Sequence, residues 1–251
     1  GVASRIELTT QGKIYLEYVT RTLETYDEGI RLAEQSVAIS ENTMRLGTLY
    51  SMKGQFWSQA MSEFVAQYEK RPLLHMEQAY SGELARQLKE GKIDVAFAAQ
   101  TKYASDLNMT LVWEQPLVVC VNKAHALAQK ESVTLDDLKH YRLMTYGKDS
   151  SVSRGLDELF AGKEDEFDLI RNFDDEITLS SFVSVNPENV SLLVYSFLVN
   201  SFDDVVCLPI EGVSEDFHKA YLMSRKEPHS QLVSDFISFM SSHPFPKLSI
   251  H

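Results

Sequence analysis

From Thr10 to Ala38 the chain has no proline, and apolar side chains recur at Leu16, Val19, Leu23, Tyr26, Ile30, Ala33 and Val37. The steps alternate between three and four residues, the heptad seam of a helix that meets a partner along one narrow stripe. Thr9 or Thr10 is the expected N-cap, its hydroxyl taking a free amide of the first turn. A helix lying on its own domain usually shows a wider apolar face, so this spacing favours pairing with another chain over packing on its own body. At ~1.5 Å per residue, the stretch from 16 to 37 spans on the order of 33 Å, enough to act as a spacer.

Beyond Asn42 the period changes. Met44–Tyr50 predicts a strand, Ser51 with Phe56–Gln67 a capped helix, and Leu73–Ala79, following Pro72, a second strand. Ser81 is read as the cap of a helix over Glu83–Glu90, Gly91 as its C-terminal glycine and Ile93–Ala98 as a third strand. A second series comes after it: strands at Leu117–Val121, Leu143–Tyr146, Leu169–Phe173, Val190–Tyr195, Val205–Ile210 and Phe217–Met223. Helices are expected at 134–138, capped by Thr134, and at 153–160, 178–185 and 230–240. Alternating strands and helices predict parallel sheets covered by helices, here in two successive units.

Charge sharpens that division. The net formal charge is −12, and residues 119–216 alone carry 19 acidic against 8 basic side chains. Such a balance opposes direct contact with a phosphate backbone, which needs clustered Lys and Arg. Cys120 and Cys207 lie in apolar runs, are too few for a disulfide scaffold and have no zinc spacing, so a reducing cytoplasm is expected. No run of 18 apolar residues and no charged-then-apolar leader pattern is present, which disfavours a membrane span and secretion.

In open α/β sheets ligands bind beyond the carboxyl ends of the strands, where helix N-termini offer free amides to anions. Each such corner here begins with a small hydroxyl residue: Ser51, Ser81, and Ser150 or Ser151, with Lys53 and Lys148 close by. A serine at a helix start is ordinary structure taken singly; as a set across two units these suggest a site for a small organic anion. Catalytic spacings are missing: no nucleophile elbow, zinc helix or phosphate loop occurs, and the seven histidines are scattered. The acidic run Glu164–Asp168 lacks the spacing and central glycine of a calcium loop, and reads as a solvated turn. No enzyme, metal or cofactor is expected.

Several segments resemble the LysR-type transcriptional regulators. Leu8-Thr9-x-x-Gly12 is similar to the junction between that family's DNA-binding wing and its linker helix, and Met44-Arg45-Leu46-Gly47 to the first strand of its effector domain. The segment 88–97 (LKEGKIDVAF) resembles the family's most recognisable stretch. His125-Ala126-Leu127-Ala128 is similar to a further family segment, although the family usually has proline at the place of Ala126, and Val133–Leu138 fits the short helix after it. Two departures stand out. Only a stub, residues 1–9, stands where a winged helix-turn-helix of about sixty residues is expected. In addition, Val183–Val190 replaces a Gly-x-Gly segment.

The resemblance implies an α/β fold of two lobes, like a type 2 periplasmic binding protein, behind a dimerising linker helix. Residues 1–9 would be the remnant of the wing and 10–41 the linker. Lobe I would comprise 42–118 and 220–251, and lobe II 119–219, joined by two crossover strands with the last helix returning to lobe I. It implies an effector site drawing on Ser51, Met52, Lys53, Ser81, Ala99 and Gln100 from lobe I. Lobe II would add Tyr146, Lys148, Ser150, Ser151 and Asn186. The implied partners are a small-molecule effector and further copies of the chain, as a homodimer or homotetramer. DNA would be met only through the missing N-terminal domain, and no membrane is involved. A free-standing solute-binding protein, or an enzyme on the same scaffold, are the alternative readings.

Overall fold

The computed structural model describes residues 7–50, 52, 54–248 and 250, with backbone alone at 37–41 and 55. The chain runs through α1 (Thr10–Glu41), β1 (Thr43–Thr48), α2 (Gln55–Ala66), β2 (Leu73–Gln78), α3 (Ser81–Lys89), β3 (Val95–Ala98) and β4 (Asn108–Gln115). It continues with β5 (Leu117–Asn122), α4 (Leu135–Leu138), β6 (Arg142–Tyr146), α5 (Ser153–Phe160), β7 (Asp168–Phe173) and α6 (Glu176–Val185). The last elements are β8 (Val190–Val194), β9 (Val205–Pro209), β10 (His218–Ser224) and α7 (Gln231–Ser242).

Thr9 caps α1 as its position suggests, its Oγ1 accepting the Gly12 amide at 3.0 Å. Much of the helix stands clear of the body: Leu16, Leu23, Tyr26 and Ile30 are 51%, 56%, 64% and 41% exposed. Ala33 is exposed too, Val19 is half-buried, and the side chain of Val37 lies outside the described set. Contact with its own molecule comes late in the helix, where Arg31 lies over Gly91. A Cβ at position 91 would collide with Arg31, and the glycine's φ of +68° serves the turn that ends α3.

The body holds two five-stranded sheets, ordered β2-β1-β3-β10-β4 and β7-β6-β8-β5-β9. In each, four strands point one way and a single strand, β10 in the first sheet and β5 in the second, runs against them, so the sheets are mixed rather than parallel throughout. The reason is the crossover: β4 leads out of the first sheet and β10 leads back beside it. Sequence reading had no strand at Asn108–Gln115, where polar and apolar residues mix without a clean period. The chain enters the second sheet at Leu117 and is back in the first at His218, each two residues ahead of the expected joints at 119 and 220. The final helix α7 returns to lobe I, packing Phe236 against Phe64 of α2 and Phe97 of β3 at ring-centroid distances of 5.0 and 6.1 Å.

The conspicuous segment around Asp94 holds the base of lobe I, at the strand ends away from the second lobe. The Asp94 carboxylate accepts the Arg45 amide at 2.8 Å and pairs with the Arg45 guanidinium at 2.9 Å. Buried Arg225 donates to the carbonyls of Leu88 and Ile93 at 2.6 and 2.9 Å, tying β10 to the turn after α3. Gly47 is needed above this base, since a Cβ there would lie 2.6 Å from Leu84 and 2.7 Å from Ile93.

In lobe II, Thr134 and Asp137 form a complete capping box on α4, as expected for the Thr134 cap. Cys120 and Cys207, which sequence reading left unbonded in a reducing compartment, oppose each other across β5 and β9 and are joined as a disulfide. Among the described residues no helix is long and apolar enough to cross a membrane.

Candidate functional site

The two lobes meet over the carboxyl ends of their parallel strands. Leu49 and Tyr50 follow β1, Tyr80 follows β2, Ser150, Ser151 and Val152 follow β6, and Asp174 follows β7; together with Tyr146 they enclose a cavity of about 10 Å³. That is the room of roughly one water molecule, so the cleft is closed. A bulge on β7, where Tyr146 pairs with Phe173 after Thr145 has paired with Arg171, bends this strand end just before Asp174.

One hydrogen bond clasps the lips: the Tyr80 hydroxyl donates to Asp174 Oδ1 at 2.5 Å. That bond, and then burial, pushes the Tyr80 phenol up to about 12. Tyr50 packs edge-on against Tyr80 at 5.5 Å. Behind them Phe56 of α2 meets Phe197 of lobe II at 4.8 Å, an apolar closure of the same seam.

Several expected site residues do come together here, though in other roles than capping. Ser150 and Ser151 both line the cavity. Ser150 turns its Oγ onto the Val152 amide at 3.2 Å and its carbonyl onto the Ser153 amide at 3.1 Å. Tyr146 is buried, its hydroxyl accepting the Val194 amide at 3.0 Å, and burial holds its pKa well above the ordinary value. Ser81 is not the cap of α3 but its first residue. Its buried hydroxyl takes the Ala99 amide at 3.0 Å, which locks the helix to the end of β3. Likewise α2 starts from Gly54 with no side-chain cap, and α5 from Val152 with none.

Others lie apart. Met52 and Ala99 are buried, Gln100 and Lys148 exposed, and none of the four lines the closed cavity. Asn186 ends α6, whose first turn follows Asp174; ten residues at 1.5 Å each put it roughly 15 Å along the axis from the cleft. Its side chain folds onto the Glu188 amide instead. Ser51 and Lys53 fall outside the described residues.

Sequence reasoning missed the groups that shape the floor. His218 begins β10 and Gln115 ends β4, so the two crossovers place them side by side, with His218 Nδ1 2.9 Å from Gln115 Oε1. Ser151 Oγ lies 2.9 Å from His218 Nε2. Burial alone drives the His218 pKa down to about 4, so the ring is neutral. The order Ser–His–Gln is that of an activated nucleophile, but the Val152 and Ser153 amides next to it are already used by Ser150. A separation of 103 residues hides this pairing from any local motif. Tyr80 and Asp174, 94 residues apart, were hidden in the same way.

A larger concavity of about 710 Å³ lies elsewhere, between α1 and the base of lobe I, lined by mixed charges including Glu24, Asp27, Arg31, Arg45 and Lys89. It is the open angle between a protruding rod and the body. Among the described residues no group of three His, Cys, Asp or Glu is placed to hold a metal.

Comparison with known proteins agrees with this geometry. The chain is 24% identical over 179 residues to YybE of Bacillus subtilis (strain 168), described as an uncharacterized HTH-type transcriptional regulator; the match covers 71% of this chain and 61% of that protein. The chain thus spans about three fifths of the length of that relative. Its fold matches the effector-binding domain of QuiR solved with shikimate, with TM-score 0.70 and 23% identity over 79% of this chain and 94% of the other. Full-length CbnR complexed with its target DNA matches at TM-score 0.66 and 16% identity, over 94% of this chain and 82% of the other. The family described as LysR substrate binding domain matches residues 40–244. With two mixed sheets facing across a cleft and a match of that extent, this chain belongs to the LysR substrate-binding domain family.

Proposed function

We propose that this chain is the effector-sensing and self-associating part of a LysR-type transcriptional regulator, with a small metabolite taken into the cleft between the lobes. The observation that carries the reading is the seam itself. Strand ends from two lobes converge on it, and across it the Tyr80–Asp174 bond joins one side to the other. A metabolite that replaces that bond favours one spacing of the lobes over another, and only such differential affinity shifts a conformational balance. Residues 10–41 serve as linker, 42–118 with 220–251 as lobe I, and 119–219 as lobe II. The cytoplasm is the proposed place of action, and no catalytic turnover is assigned.

Self-association rests on exposed apolar surface. Leu16, Leu23, Tyr26 and Ile30 of the seam are exposed, and the edge strand β2 adds exposed Leu73 and Met76. A homodimer or homotetramer covers these faces, and DNA is met by a segment other than the described lobes. Light scattering and a thermal-shift screen against a metabolite panel test the reading. A dimer or larger that Leu23→Asp dissociates, and a metabolite that raises Tm, are expected. A strict monomer at tens of micromolar, or a metabolite recovered chemically altered, overturns it.

A further inference from the structure

The chain of bonds under the cleft has a direction, and the direction is set by a group that cannot reverse. The Tyr195 backbone carbonyl only accepts, and Gln115 Nε2 lies 3.0 Å from it. The buried amide of Gln115 is thereby oriented, with Oε1 towards His218. An amide oxygen also only accepts, so His218 carries its proton on Nδ1. The ring is 4% exposed and neutral, which leaves Nε2 as a bare lone pair. Ser151, 2.9 Å from Nε2, must therefore donate its hydroxyl proton to the ring. A serine has one proton to give.

We propose that the Ser151 hydroxyl presents only lone pairs to the cleft, so that the ligand brings a hydrogen-bond donor, a hydroxyl or an ammonium, to this oxygen and a carboxylate is rejected by it. The inference rests on the cleft being the effector site. The surroundings agree with it. Asp174, on the same cavity wall, is an acceptor whose present donor is Tyr80, and Asp149 adds a carboxylate at the outer groove beside Tyr50 and Tyr80. The amides of Val152 and Ser153 at the start of α5 are turned onto Ser150. Of the cations nearby among the described residues, Arg86 is paired with Glu83, Arg171 is held by Asp157, the Tyr146 carbonyl and the Ser153 hydroxyl, and Lys148 is exposed. A ligand donor placed between Ser151 and Asp174 thus takes over the task that the Tyr80 hydroxyl performs in the closed form.

Two measurements test this. Long-range ¹⁵N–¹H correlation spectra of protein labelled at histidine read the tautomer without any ligand. Protonated Nδ1 and unprotonated Nε2 at His218 are expected across neutral pH. A proton on Nε2 overturns the proposal, because Ser151 is then free to donate. The second is calorimetry with matched probes sharing one carbon frame: benzylamine, benzyl alcohol and benzoate, with the cyclohexylmethyl and propyl triplets. Binding is expected from the amine or alcohol member, weakened about tenfold by Ser151→Ala and restored by Ser151→Thr, the loss of about one hydrogen bond. A carboxylate member that binds and loses affinity in Ser151→Ala overturns it. A panel in which nothing binds counts against the cleft as a receptor, the reading beneath, while the spectrum still decides the direction of the chain.

Discussion

The two ends of lobe I are built on opposite terms. At the base, Asp94 and Arg225 are buried, Arg45 is partly so, and their partners are supplied by the same lobe: a backbone amide, two carbonyls and one guanidinium. At the rim, Tyr50 and Tyr80 are half-buried and Asp174 is exposed, and the clasp between Tyr80 and Asp174 joins groups from different lobes. The base is therefore a place where structure is fixed, and the rim a place where it can be exchanged. A recognisable sequence segment marks the first and none marks the second.

The widest separation between the two ends should appear on breaking the base. Asp94→Ala leaves Arg45 without its carboxylate and buried Arg225, 4.0 Å from Asp94, with only Glu227 at 3.6 Å, and a loss of about 3 kcal/mol in urea denaturation is expected. A loss below ~1 kcal/mol would mean that the carbonyls of Leu88 and Ile93 suffice for Arg225. Next in size is the pH dependence set beneath the rim by His218. Its pKa falls from 6.5 in the unfolded chain to about 4 in the fold, so the unfolded state binds the extra proton between those values. Stability from this group is complete above pH 6.5 and declines as pH falls towards 4, by about 3 kcal/mol at most. His218→Gln should flatten that slope in a series of melting curves.

Smaller effects separate a structural hydroxyl from an exchangeable one. Ser81→Ala strands the Ala99 amide at a buried site and should cost about 1–2 kcal/mol without any ligand present. Tyr80→Phe removes only the clasp, so less than about 1 kcal/mol is expected, together with faster hydrogen exchange at the strand ends around the cleft. The Tyr80 pKa is raised, so the clasp is complete below pH 10 and is lost as pH rises through about 12. Wild-type exchange rates relative to Tyr80→Phe should stay distinct up to that range.

Local pattern and tertiary pairing explain what was legible. The helix α1, the strand at 143–146, the helix at 153–160 and the cap at Thr134 each depend on neighbours within a few residues, and each is found where expected. Strand β4 escaped because it is exposed along much of its length and carries no period. The serines were read through the commonest role of a hydroxyl at a helix start. Ser81 departs from it because an amide from another strand takes its hydroxyl in place of those of its own helix. Asn186 was carried over from a family segment that this chain replaces, and the length of α6 takes it away from the cleft. His218 and Gln115 had no local mark at all, since the crossovers alone make them neighbours.

The order of strands has a consequence for biosynthesis. Lobe II is one continuous stretch from β5 to β9, whereas β10 sits between β3 and β4 in the sheet of lobe I. As the polypeptide leaves the ribosome, the second lobe is complete while the first still has an open slot. Nascent lobe I therefore waits, with the edges of β3 and β4 unpaired towards that slot, for β10 and the residues after it to arrive and seal it.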